Sequence, residues 1–482
     1  MSKKLTTSAA IGSLIATSVG MLSATPAHAS ATYTVTNCDT TGAGSLADGV
    51  DYLNNNSGGS ISFNLATDCD EIVVSSILSV NQNIAISGPS DKAVTVTGQL
   101  GGNSVLFFLN ANLSLSNLTF DGSYNVGGNE YTSLLSAGNG NITLESVHVN
   151  DMANGTAIQT YSGNVNIANS NFTDDNTARP VGFIMASGDA FISNTEFVGN
   201  AYGEGSLISA TNLIVQFSTF TNNDASFGPD SLLSGNTVSI YDSNFRENDT
   251  STLTIGTTFT SMWQSSVVAN HFGGSIFSTE FGTMDIYSNT IAENQYGVGA
   301  SVASGGSVKL RFNTFLNNEE ANQGIGTIVQ GDVTLGGNIF ASDEGYAFRC
   351  LNVGSSLDLS GNLFTSQPID CGLPTLPTGP SGGASAVVDF ASLKFAPMVT
   401  SPTGKKYFPL GAGSVAIDYF TTFPDTNQLL DEDQRGEDRP FGAGYDVGAI
   451  EGAGISSCSP LAKVTVLFAF SSISRHFLLI DR

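Results

Sequence analysis

The chain has 482 residues, of which 12% are charged, 40% are hydrophobic and 54 are glycine; 16 Lys and Arg against 42 Asp and Glu leave a net charge of −26. Apolar content near the globular norm, with mean hydropathy just above zero, excludes a disordered chain despite that charge. The acidic balance excludes nucleic acid and anionic lipid as partners, which would be repelled over a Debye length, and favours cations or basic partners.

At the N-terminus, Lys3 and Lys4 precede an uncharged run over residues 5–22, and Ala27-His28-Ala29 places small residues where a signal peptidase reads. Residues 1–29 are therefore expected to be a secretory signal peptide; Ser, Thr and Gly dilute the run too far for a membrane anchor. Export implies an oxidising compartment, so two local disulfides are expected from Cys38, Cys69, Cys350 and Cys371, with Cys458 left over. No Cys-x-x-Cys occurs, which removes zinc ribbons and attached haem. Ser45 with Asp48 three residues on is a capping-box pattern, and Leu46, Val50 and Leu53 fall on one helical face. A short helix here would plug the N-terminal end of the core.

From residue 113 onward one pattern recurs: apolar, any, apolar, four mostly polar residues, then a large apolar residue. It runs through Leu113-x-Leu115…Phe120, Leu213-x-Val215…Phe220, Ser261-x-Trp263…Val268 and Val308-x-Leu310…Phe315 to Leu357-x-Leu359…Phe364, closing every 23–29 residues. Alternation is the mark of a strand with one face buried, and the even period predicts one coil of a parallel β-solenoid. Two positions before the closing residue stand Asn289, Asn313, Asn338 and Asn362, preceded by Ser170, Thr195, Ser218, Ser243 and Ser266. Stacked coils would join these amides in a hydrogen-bonded ladder, and Asn also tolerates the left-handed backbone of a tight turn.

The repeated Phe-x-x-Asn units (Phe197–Asn200, Phe220–Asn223, Phe245–Asn248, Phe315–Asn318) and Gly-Gly-Ser-Ile at 273–276 resemble the repeats of polymorphic outer-membrane proteins. Gly42-Ala43-Gly44-Ser45-Leu46 and Gly59-Ser60-Ile61-Ser62-Phe63-Asn64 resemble the N-terminal module of CSLREA-type secreted proteins. Val415-Ala416-Ile417-Asp418, Asp433-Gln434-Arg435-Gly436, Arg439-Pro440 and Asp446-Val447-Gly448-Ala449-Ile450-Glu451 are similar to the terminal signature of choice-of-anchor Q proteins. These resemblances imply an all-β fold, a right-handed parallel β-helix, with a cap at each end. The expected divisions are 1–29 signal peptide, 30–104 N-terminal cap and first coils, 105–370 repeats, 371–451 terminal coils and cap, and 452–482 tail. The loop at 374–383 (PTLPTGPSGG) would join the last clear coil to that cap, and the apolar stretch 464–470 is too short to span a bilayer.

Outward strand positions stack from coil to coil. Four before the closing residue this gives Gln216, Tyr241, Gln264, Tyr287 and Arg311, the glycan-binding candidates; six before it gives Ser239, Met262, Asp285 and Lys309. A polysaccharide lyase or epimerase needs a cation against a uronate carboxylate and a base for the neighbouring proton, so Tyr287, Lys309, Arg311 and Asp285 are the catalytic candidates. The plainer expectation is a solvated or sugar-binding strip, since exposed strand positions ordinarily carry charges. Among other acids, Asp431, Asp433, Asp438 and Asp446 are calcium-ligand candidates; the alternative is ion pairing with Arg435 and Arg439. Asp174-Asp175 reads as a solvated turn, and His148 and His271 as surface turn residues. No Gly-His-Gly, Gly-x-Ser-x-Gly or P-loop pattern is present. The sequence thus predicts a secreted or surface-attached monomeric rod, on a bacterial surface or outer membrane, that contacts an extracellular glycan or surface component. It needs no cofactor beyond the calcium the acidic cluster would take, and the runner-up is a lyase or epimerase.

Overall fold

The computed structural model describes residues 31–452 apart from 99–104, 123–132, 153–155, 174–175, 178–182, 204, 226–230, 296–297, 303–305, 320–324, 381–382 and 423–430. The expected signal peptide at 1–29, Asp174-Asp175, Cys458 and the tail beyond 452 lie outside the described residues. Within them the chain is a parallel β-solenoid built on a 21-stranded and a 14-stranded sheet. Every pairing in these two sheets is parallel, with each strand hydrogen-bonded to its equivalents in the coils before and after.

Each coil lays one strand or a bent pair of strands in the first sheet, turns a corner, adds a short strand to the second sheet and turns again. The first corner is made by a residue with positive φ: Asn194, Phe217, Asp242, Gln264, Ser288 and Phe312 in successive coils. Positive φ after the second-sheet strand recurs at Asn222, Glu247, Ala269, Glu293 and Asn317. Alternating residues such as Leu213, Val215 and Phe220 are buried completely. Phe172, Phe197, Phe220 and Phe245 stack in a column with ring centroids 4.8–4.9 Å apart, the spacing of coils in register.

The expected amide ladder is present, though its residues do not themselves take the left-handed conformation. They follow the positive-φ residue and point inward. Asn289, Asn313 and Asn338 each donate to the next amide oxygen, and those oxygens also accept the backbone N–H of the preceding ladder residue. A second ladder, Asn200–Asn223–Asn248–Asn270–Asn294–Asn318, lines the other corner; four of its members are the Asn of the Phe-x-x-Asn units, and Asn270 and Asn294 follow Val267 and Ile291 at the same spacing.

The helix Leu46–Asn55 forms with Ser45 Oγ accepting from Asp48 N, and buries Leu46, Val50 and Leu53 against the first strands. Both disulfides form, Cys38–Cys69 and Cys350–Cys371. The C-terminal region departs from its expected place on the solenoid end. After Val387 the chain runs back along the outer face of the second sheet, and Leu393, Phe408, Leu410, Ala416, Phe420 and Val447 make a second apolar core with Val268, Ala292, Leu316, Ile339, Ala341 and Leu363. The cause lies in those outward positions. In one outward column Thr221 and Arg246 are followed in register by Val268, Ala292, Leu316 and Ala341, and in the other Thr314 is followed by Ile339 and Leu363, apolar residues that would otherwise meet water.

Candidate binding face

The outward column of the first sheet next to the corner reads Gln216, Tyr241, Trp263, Tyr287, Arg311 by strand register. Trp263 replaces the expected Gln264. The closing residue of that coil is Val267, paired with Phe245, and Met262 points inward and is fully buried. A slip of one residue exchanges the two faces of a strand, so Ser261 and Trp263 turn outward and Ser265 takes the ladder position expected for Ser266. Gln264 becomes the left-handed corner, where its amide donates to Glu432 and to the Asp433 carbonyl.

The aromatic members of this column stack on one another. Trp263 and Tyr287 are 5.8 Å apart and 4° from parallel, Tyr241 lies 5.3 Å from Trp263, and Phe217 meets Tyr241 edge-on. At the far end the Arg311 guanidinium lies 5.6 Å from the Tyr287 ring centre. The C-terminal layer closes over this end, with Ser288 donating to the Glu432 carbonyl and Lys405 paired with Asp242 at 2.7 Å. Tyr287 and Arg311 retain only 8% and 2% of their exposure.

The chemistry of these groups follows from that cover. Both Asp285 oxygens accept from Arg311 Nη2 at 2.6 Å, which commits the cation to a protein carboxylate. Lys309 is half-buried, in register between Asp285 and Thr334. Burial, helped by Asp285 and opposed by Arg311, pushes the Tyr287 phenol well above its ordinary range. The Tyr241 phenol is pushed up to about 12, mainly by burial and then by Asp242 and Glu432. A proton base needs the opposite shift. A raised phenol contributes stability that is whole below pH ~10 and lost as pH rises through about 12. An alkaline titration followed by tyrosinate absorbance will therefore show a late step that Tyr241→Phe diminishes; a single step centred near pH ~10 for all the tyrosines would contradict this placement.

The terminal signature is a brace. Asp433 accepts from the N–H groups of Arg435, Glu437 and Glu451 and pairs with the Arg435 side chain. Asp446 accepts from Asp418 N and Gly452 N, and Glu451 from Phe441 N and Arg439. Gln434 ties the brace to the coils through Ser265 and Thr290. Gly448, at φ +102°, sits where a Cβ would lie 2.7 Å from Thr314 Oγ1 and 2.8 Å from Ile339 Cδ1. Asp433 and Asp446 are buried while Asp431 and Asp438 are exposed, and among the described residues no group of three or more acidic, His or Cys side chains is placed to hold a metal. His148 is exposed, and His271 Nδ1 lies 2.7 Å from Asp249 on the surface.

The other part of the first sheet's outer face is left open by this layer. One column reads Ser60, Ala85, Ser114, Thr143, Asn166, Phe191, Ile214, Ser239, and a parallel one Ser79, Phe108, Ser136, Gln159, Met185, Ser209, Ser234, Ile255. Among the described residues, Glu145 is the one charged side chain at the outward strand positions from Ala31–Val35 through Thr252–Trp263. The columns are legible in the sequence as alternation; their shared lack of charge emerges only once strand register sets the positions side by side.

No protein-family description and no curated protein matches this chain. It is similar to the PL6-family alginate lyase AlyGC, at 14% identity and TM-score 0.45 over 80% of this chain and 56% of that one. The A-module of the Azotobacter vinelandii mannuronan C-5 epimerase AlgE6 is similar at 13% identity and TM-score 0.33, over 66% and 93%. PfbA, a surface adhesin of Streptococcus pneumoniae, is similar at 14% and 0.36, over 75% and 95%. The chain spans just over half the length of the alginate lyase.

Proposed function

We propose that this protein is an extracellular rod that contacts glycans or a cell-surface component through the open outer face of its first sheet, without catalysis. The observation that carries the reading is the state of Arg311: 2% exposed, packed by Tyr287 and doubly hydrogen-bonded to Asp285, it presents almost no surface to a sugar carboxylate. The two disulfides support an oxidising compartment. The signal-peptide pattern at 1–29 and the likeness of 415–451 to choice-of-anchor Q proteins support export and surface attachment.

A second reading, a lyase or epimerase on uronate-containing glycans, is favoured by Lys309, which keeps partial exposure beside Asp285. Incubation with alginate, pectate and glycosaminoglycans, with and without calcium, separates the two. The expected result is no growth in absorbance from an unsaturated product and no change in uronate epimer ratio. Either signal, if lost in Lys309→Ala, would overturn the non-catalytic reading.

A further inference from the structure

The chain carries 42 acidic residues, yet among the described residues the first-sheet strands from Ala31–Val35 through Thr252–Trp263 bear one charged side chain, Glu145, with Asp189 at the bend before Phe191 accepting from Asn212. That face repeats hydroxyl and amide groups from coil to coil at ~4.8 Å. In its middle Phe191 and Ile214 stand in register, with Met185 in the neighbouring column of the Phe191 coil. All three are partly exposed while their chain neighbours Ala190, Ile192, Leu213, Val215, Ile184 and Ala186 are buried. Polar groups that recur along one axis are matched by a partner that repeats its own chemistry, which is a polymer. An apolar strip between hydroxyls suits a sugar ring, with its apolar face and polar rim. Charge then selects among polymers: the acidic remainder of the molecule repels polyanions, and among the described residues the strand positions of this face hold no Lys or Arg.

We infer that this face binds an uncharged polysaccharide, laid along the coils across Phe191 and Ile214. The inference rests on the glycan-contact reading and narrows it to neutral chains.

The test is co-sedimentation of the protein with insoluble cellulose, chitin and starch, and affinity electrophoresis in soluble alginate and pectate. Retention on at least one neutral polymer, insensitive to salt, is expected, with binding weakened about tenfold in Phe191→Ala and in Ile214→Asp. Glu196→Gln, on the second sheet, should bind unchanged. Melting temperatures show whether each variant is folded, and Ser209→Asp tests the same face at a position that buries no apolar group. Binding to alginate or pectate alone overturns the inference but leaves glycan contact standing. Neutral binding that survives all three face variants in folded protein also overturns it. Binding to none of the polymers overturns both.

Discussion

Replacing Arg439 with Met is expected to cost about 3–5 kcal/mol and to release the C-terminal layer from the coils. The guanidinium lies 2.7 Å from Glu451 Oε2, with both side chains fully buried; it also donates to the Gly448 carbonyl and sits 4.7 Å over the Phe312 ring. Removing it leaves a buried carboxylate without its counter-charge, which is where the cost arises. The loss should depend on pH. Burial already pushes Glu451 up to about 7, with Arg439 opposing and Asp446 adding to the shift. A carboxyl raised in the folded state contributes stability that is whole below its ordinary range and lost as pH rises through the folded value. The variant should therefore be weakest above pH 7 and partly recover near pH 5, where Glu451 takes up a proton. Hydrogen exchange over residues 386–452 measures this directly. Equal protection in the variant and the parent at pH 8 would mean that the ion pair does not hold the layer.

The second large effect is expected at Asn248, in the middle of the second ladder. Its amide oxygen accepts from both the backbone and the side chain of Asn223, and its Nδ2 donates to the Phe220 carbonyl and to Asn270 Oδ1. Asn248→Ala strands these groups in a site that is 1% exposed. Each orphaned partner costs ~1–3 kcal/mol, and partial relaxation should leave a net loss of at least about 3 kcal/mol by denaturant unfolding. The contrast is Asn141, whose Oδ1 accepts from Asn164 N at the exposed bend of the first sheet. Water replaces it there, so Asn141→Ala should cost less than about 1 kcal/mol. Comparable losses at the two sites would show that the ladders gain nothing from burial.

Much of the scaffold was readable because the solenoid imposes one rule at every coil. Leu213, Val215 and Phe220 alternate as any half-buried strand must, and their equivalents recur at the same phase. The helix at Leu46–Asn55 declared itself through Ser45 and its apolar stripe. The register around Trp263 could not be read from pattern, since Val267 and Val268 are adjacent, equally apolar and both buried; one faces the coil interior and the other the C-terminal layer. The layer itself left a trace in the change from Thr221 and Arg246 to Val268, Ala292 and Leu316 along one outward column of the second sheet. Periodicity reports which positions face outward. It does not report what covers them, and for that reason Tyr287 and Arg311 looked like a surface site.

Whether the C-terminal layer takes that cluster out of reach is the point on which the functional reading turns, and hydroxyl-radical footprinting of the intact protein tests it most directly. Tyr161 and Phe281, 60% and 66% exposed, should be oxidised readily, while Tyr287 at 8% should be protected. Oxidation of Tyr287 at a rate comparable with Tyr161 would contradict the account and return Tyr287 and Arg311 to the surface beside Lys309.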